Sequence, residues 1–391
     1  MGRWTAVIMT AVALAAVTEP GNPAQAQTRT VQSQAGPVSV ETLARLDHPW
    51  GMVFLPDGGL LITEQPGRLR IWSGGRLSAP VSGVPAVAYR GQGGLLDVAT
   101  DPGFAGNRLV YLSYVEAAKP QPPGLKETPE PRLGGGQDLS DNVLKGLAVA
   151  RGRLENGALR DVQVIWRQTP KTVGRGAFGG RLVFAPDGAL FITSGDRDRF
   201  EPAQDLNSNL GKIVRIRPDG SIPSDNPFVD RPGALKDIYS FGHRNPLGAA
   251  INPNTGELWA EDAGPEGGDR LVVVHAGHNY GWPLISSAPS MSDVAELDPN
   301  GPVYSWNPPV GPSSLAFYTG DEFPWRMDAL SGALAGQTLI HLDLRDGEVI
   351  STDQLAVGQP VRDVVQDANG ALLLLTDGPQ SGLLRLTPTR K

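Results

Sequence analysis

The chain has 391 residues, including 49 Gly and 35 Pro but no Cys, and carries a formal net charge of −7 at neutral pH. The length suits one large or two ordinary domains, and this much Gly and Pro demands frequent turns rather than long helices. The absence of Cys excludes disulfides, thiolate metal sites and cysteine nucleophiles. An acidic balance with scattered arginines argues against nucleic acid as the main partner and leaves small molecules as the leading candidates.

The N-terminal MGRWTAVIMTAVALAAV sets Arg3 before an apolar run of signal-peptide length, and Ala24-Gln25-Ala26 supplies a small-x-small cleavage pattern. Residues 1–26 are therefore expected to be a signal peptide, and 27–391 a single exported domain, periplasmic or secreted. The run is short for a span of about 20 residues and no comparable stretch follows it, so no membrane span is expected after cleavage.

From there one pattern recurs, in which a β-rich run, a turn built on Pro, Asp or Asn and Gly, and a second β-rich run follow one another. It appears as VFLPDGGLLITEQPGRLRIW from Val53, VATDPGFAGNRLVYLSY from Val98 and VFAPDGALFITSGD from Val183. It returns as INPNTGELWAED from Ile251 and VQDANGALLLLTD from Val365. Each is a hairpin signal, and such repetition predicts an all-β fold, a β-propeller of four-stranded blades around a central channel. Division of the chain favours six blades of roughly 60 residues, with seven shorter ones as the alternative. The segment Ala117–Asp141, rich in Pro, Gly and charge, reads as a long inter-strand insertion.

The chemistry-bearing residues are few. None of His48, His243, His275, His278 and His341 shows an HExxH-type spacing; in HAGHNYGWP, a structural role for His275 and His278 outweighs a metal site. There is no GxSxG, P-loop or Rossmann pattern. In GHRNPLG, Arg244 and Asn245 precede a Pro and so lie on extended or turning backbone. Arg244 offers a planar fork of donors and Asn245 both a donor and an acceptor. An Arg that bridges blades through a buried carboxylate is an equally good reading of that residue. In EDAGPEGGDR, Glu261–Arg270, carboxylates and carbonyls crowd together in a way that calcium can use, without the spaced ligands of an EF-hand.

Taken together, several stretches resemble the glucose/sorbosone dehydrogenase family, the soluble pyrroloquinoline quinone (PQQ) dependent aldose dehydrogenases. They are HPWGMVFLPDGGLLITEQPGRLRIW, RGQGGLLDVATDPGF, FGGRLVFAPDGALFITSGDR, LNSNLGKIVRIRPDGSIPSDNPF, GHRNP, EDAGPEGGD, NYGWP, LAFYTGDEFP and VRDV, in order across most of the chain. The resemblance implies a six-bladed β-propeller with PQQ and calcium at the mouth of the channel and a small-molecule sugar as substrate; it names no electron acceptor. It implies a substrate-contacting role for Gln92, contacts to the quinone oxygens and a PQQ carboxylate for Arg244 and Asn245, and a PQQ-carboxylate contact for Arg362. Calcium would take the backbone carbonyls of Gly264 and Pro265.

The chain also departs from the pattern. The family's proton-accepting His before FGGRL is Ala177, the Lys of its SGALKG stretch is Ala335, the first Arg of its RxRDV pair is Pro360, and the Glu after GGD is Arg270. A positioned general base contributes about 10²–10⁴ in rate, and charged hydrogen bonds about 1.5–3 kcal/mol each. Two readings follow: a sugar dehydrogenase, with Arg244 polarising the quinone and another group as base, and a non-catalytic propeller that binds a sugar, a quinone or a partner protein.

Overall fold

The computed structural model describes residues 28–123, 141–264, 268–284, 297–379 and 381–389. The expected signal peptide, most of the Ala117–Asp141 insertion and Pro265 lie outside the described residues. Among those described, six antiparallel sheets surround an axis, five with four strands and one with five. The innermost strands are Pro49–Phe54, Leu95–Thr100, Gly179–Phe184, Pro246–Ile251, Pro312–Phe317 and Val361–Gln366, which begin the first to sixth blades in that order. The sixth blade is closed by the N-terminal strand Gly36–Leu46, which pairs with Ser381–Pro388 from the other end of the described chain. The architecture is the six-bladed β-propeller that the recurring hairpins predict.

The repeated turns join the first two strands of a blade, and their residues explain why. Gly58 N–H bonds to Leu55 O at 2.9 Å while Asp57 Oδ1 accepts from Gly59 N at 3.0 Å. The same geometry recurs at Ala185–Ala189, and at Asp367–Ala371 the backbone bond is kept while Asp367 Oδ1 takes Ala371 N. Gly58, Gly188 and Gly370 have φ of 83°, 81° and 92°, where a Cβ would be strained. Side chains from successive blades then close an apolar core; Trp50, Leu96, Tyr111, Phe178, Leu182, Ile192 and Val214 form one such cluster across the first three. Each fully buried large side chain of this kind stabilises the fold by about 1.5–3 kcal/mol.

Every innermost strand is bulged near its N-terminal end, with register breaks between Pro49 and Met52, Leu95 and Val98, Gly179 and Leu182, Pro246 and Gly248, Pro312 and Ser314, and Val361 and Asp363. A bulge breaks the ladder and leaves backbone groups unpaired, and here groups at or beside the bulges bond to side chains of the neighbouring blade. The Thr63 hydroxyl donates to Leu96 O, Ser113 Oγ to Gly180 O at 2.5 Å, and Ser313 Oγ to Val361 O at 2.6 Å. Asn245 Oδ1 accepts from Gly179 N at 3.0 Å, Asp269 Oδ2 from Val310 N at 2.8 Å, and Asp363 Oδ2 from Met52 N at 2.9 Å. Each boundary between adjacent blades thus has a side-chain to backbone tie.

Arg181 crosses the axis itself. Its guanidinium donates to Leu247 O at 3.1 Å, Ser313 O at 3.0 Å, Asp97 Oδ1 at 3.2 Å and Asp363 Oδ1 at 3.1 Å, and it lies 4.6 Å from the centre of the Trp50 ring. One side chain from the third blade thereby touches the other five. The bridging of blades through buried carboxylates, considered for Arg244, falls to Arg181. Burial pushes both carboxyls upward, Asp363 to about 6, and the guanidinium offsets that push. Gly51 is required beside it, because a Cβ there would stand 2.3 Å from Asp97 Oδ1.

Removing Arg181 as Arg181→Met strands two buried carboxylates, so urea unfolding should show a loss of about 3–5 kcal/mol. Adding Asp97→Asn and Asp363→Asn should recover part of it; an unchanged midpoint for Arg181→Met would refute the axial role.

Glu261 in the fourth blade is fully buried, and neither carboxyl oxygen has a hydrogen-bond partner. Burial holds it well above its ordinary 4.5, against the smaller opposing effects of Ser331 and Arg181. A raised carboxyl supplies its stabilisation below the unfolded-state value and loses it as pH rises toward the folded-state value. As pH rises above the ordinary value of 4.5, the stability of Glu261→Gln relative to the parent should therefore climb by up to about 1.4 kcal/mol per pH unit until the folded-state value is reached. A pH-independent difference in urea melts would show the carboxyl ionised in the fold.

Candidate active site

One end of the channel collects the start of the third inner strand, the turn after Ser194, the Gly242–Asn245 loop and the Asp262–Gly264 turn. The loop Gly174–Phe178 forms part of the rim, and Arg197 holds it from beneath. The buried Arg197 guanidinium donates to Gly176 O at 2.9 Å, Gly174 O at 2.8 Å and Lys145 O at 3.1 Å, and its centre lies 3.7 Å from the Phe178 ring centre. Three carbonyls and an aromatic face replace a carboxylate partner, and burial lowers its pKa to about 9. The sequence reading missed Arg197; its one local sign was a basic residue three positions after the strand that ends at Ser194.

Ala177 is buried with φ of 49°, an uncommon conformation outside glycine. Its N–H donates to Gln92 Oε1 at 2.9 Å and its carbonyl accepts from Arg197 N at 3.1 Å. The exposed Gln92 thus meets the loop at the position where the family places its base. Ala335 is exposed and Pro360 half-buried, so neither supplies a charge to the mouth.

Asp262 organises the opposite side. Its carboxylate accepts Arg244 N at 3.0 and 3.1 Å, Asn245 N at 2.7 Å and Arg270 Nη2 at 3.1 Å. Arg270, where a Glu is usual, thus pairs inward with Asp262 and leaves the rim. Arg244 Nη1 donates to Ala263 O at 2.9 Å, its Nη2 lies 3.7 Å from Asp198 Oδ1, and its guanidinium centre is 5.7 Å from the Trp282 ring centre. Its Nε is buried and has no hydrogen-bond partner. Gly264 N–H donates to Asp269 Oδ1 at 2.9 Å, and a Cβ on Gly264 would stand 2.2 Å from the Gly268 backbone, so this position holds a glycine. Arg362 Nε and Nη2 both bond to Asp377 Oδ1, at 3.2 and 3.1 Å. Arg362 also lines a cavity of about 50 Å³ together with Trp50, Gln65, Gln92, Phe178 and Leu247.

The carboxyl groups beside Arg244 differ sharply. Asp196 is buried, accepts from Trp282 Nε1 at 2.8 Å, and is pushed up to about 6 by burial. Asp198 keeps about 24% of its side chain exposed and lies over the loop, 2.4 Å from where a Cβ on Gly176 would stand. His243 has no exposure; its Nε2 is 2.9 Å from Ser240 Oγ, its ring stacks on Tyr280, and burial drives it down to about 3. It therefore cannot serve as a base at the mouth. The structure brings Arg244, Asn245, Gln92 and Arg362 to one end of the channel and places Gly264 at its edge.

A propeller whose channel mouth is rimmed by arginines, amides and one half-exposed carboxylate defines a class of small-molecule site at a propeller axis. The family model for Glucose / Sorbosone dehydrogenase matches residues 46–385, and the chain belongs to that family. It is 39% identical to the Aldose sugar dehydrogenase YliI of Escherichia coli over 367 residues, 90% of this chain and 93% of that protein. The crystal structure of the soluble Escherichia coli aldose sugar dehydrogenase in its apo form matches with a TM-score of 0.79 at 39% identity, over 90% of this chain and all of that one. The PQQ-bound form of the aldose sugar dehydrogenase from Streptomyces coelicolor matches with a TM-score of 0.68 at 26% identity, over 90% of this chain and 98% of that one.

If Arg197 holds the rim, Arg197→Met should speed amide exchange across Gly174–Phe178 by about 10–100-fold, the cost of one charged hydrogen bond. Native-state hydrogen exchange would read this, and unchanged protection there would contradict it.

Proposed function

We propose that the protein is a PQQ-dependent aldose dehydrogenase that oxidises the anomeric carbon of a sugar to the lactone, in the periplasm or outside the cell. The observation that carries this reading is the buried, unpartnered Nε of Arg244 at the mouth, a donor aimed at a site that takes an acceptor. Arg362 on the cavity wall and Asn245 beside Arg244 complete a donor set suited to a flat, polycarboxylate quinone. The residues present thus fit PQQ, with fewer cations than the family pattern because Ala335 and Pro360 bring none. Calcium would take the carbonyls of Gly264 and Pro265. When bound, PQQ supplies the hydride acceptor.

The protein's own groups then have distinct tasks. Arg244 orients acceptor oxygens, its guanidinium fixed by Ala263 O and its backbone by Asp262. Gln92, anchored by Ala177 N–H, presents its amide N–H to a sugar hydroxyl. The proton of the anomeric hydroxyl goes to Asp198 Oδ, since Ala177 offers only a methyl group, His243 is sealed in the blade and Asp196 is buried beneath Trp282. The losses at Ala177, Ala335 and Pro360 favour the second reading, a propeller that binds quinone or sugar without turnover.

Calorimetric titration of PQQ into the mature protein should show calcium-dependent binding, weakened about 10–100-fold in Arg244→Ala. Absence of binding would sink the PQQ assignment. In the reconstituted protein, dye-linked aldose oxidation should fall about 10²–10⁴-fold in Asp198→Asn at unchanged PQQ affinity, with Ala177→His restoring part of it. Binding without turnover in the parent would select the non-catalytic reading.

A further inference from the structure

A second cluster of chemistry-bearing side chains lies away from the mouth, on the outer flank between the third and fourth blades. His275 and His278 follow the strand Arg270–Val274, and Asp298 comes from a segment joined to theirs by the pairing of Asn279 with Leu297. His275 Nδ1 stands 3.0 Å from Asp298 Oδ2 and His278 Nδ1 3.9 Å from Asp298 Oδ1, with the two rings 5.3 Å apart and tilted at 47°. One ligand atom from each residue falls within 4.8 Å of the others. The two imidazoles are part-exposed, whereas Asp298 is 4% exposed and fixed by Asn300 N–H at 2.9 Å.

We propose that His275, His278 and Asp298 bind a divalent transition-metal cation, zinc foremost, in a site separate from the channel. Two imidazole nitrogens with one carboxylate oxygen is a donor set that suits zinc and leaves a position for water. Tetrahedral zinc with bonds near 2.0 Å needs ligand atoms about 3.3 Å apart, a contraction that side-chain rotation supplies. His278 Nδ1 gives the independent sign: it is buried, makes no hydrogen bond and faces Asp298. A buried ring nitrogen without a partner calls for an explanation, and a metal ion provides one.

The spacing of the two histidines favoured a structural role. The third ligand was invisible in sequence because it is brought in by the return of the chain after Leu297. The site would also act as a staple. His278 leads directly into the strap Asn279–Trp282, in which Tyr280 bonds its Oη to Val273 O at 2.6 Å and Trp282 bonds Asp196 beside Arg244. A cation joining His278 to Asp298 would anchor the lower end of the strap whose upper end packs against the mouth.

The test uses the chelator-treated mature protein, with excess calcium to occupy any oxygen-rich site, titrated with Zn²⁺ against a chromophoric competitor. One equivalent should bind with a Kd of about 1 μM or tighter and raise the melting temperature. His278→Ala and Asp298→Asn should each weaken binding at least 30-fold. Absence of saturable binding, or binding that both substitutions leave intact, overturns the proposal. Should either variant fail to fold, X-ray absorption at the zinc edge of the parent decides: a shell with two imidazoles supports the site and a shell without them overturns it.

Discussion

The architecture depends on a cation buried on its own axis. Arg181 reaches five neighbouring blades from one inner strand because a guanidinium carries its donors in a rigid fork and also stacks on an aromatic face. Taking that charge out of water is costly, and the cost is offset only because Asp97, Asp363 and two carbonyls receive it in good geometry. Asp97 also accepts from Leu182 N and Asp363 from Met52 N. Register at the axis and closure of the ring are therefore the same set of bonds.

The bulges in the inner strands make this possible. A regular strand would pair its backbone along the whole ladder, whereas the extra residue frees groups such as Leu96 O and Gly180 O to take Thr63 and Ser113 from the adjoining blade. The candidate site lies at that same bulged end of the inner strands. Trp50, Leu247 and Arg362, all within bulged segments, line the small cavity that Gln92 and Phe178 also border.

The rim shows how inherited positions can change task. Arg270 turns inward to Asp262, and Asp262 also fixes the backbone of Arg244 and Asn245. Ala177 stands in the loop held by Arg197, and Asp198 is the half-exposed carboxylate facing Arg244.

The hairpin turns were legible in the sequence because Asp-Gly and Asn-Gly pairs impose local backbone angles that no distant contact needs to supply, and five recurrences of a unit that cannot bury its own faces leave few architectures. Arg244, Asn245, Gln92 and Arg362 were legible through the stretches that carry them. The axial role of Arg181 was not, since its partners come from all five other blades, and neither were the clamp at Arg197, the inward turn of Arg270, or the meeting of His278 with Asp298. Local sequence determined which segments turn and pair, through φ preferences and β-propensity. Only closure of the ring decided which charges meet, because those distances are set by the packing of six blades and not by spacing along the chain.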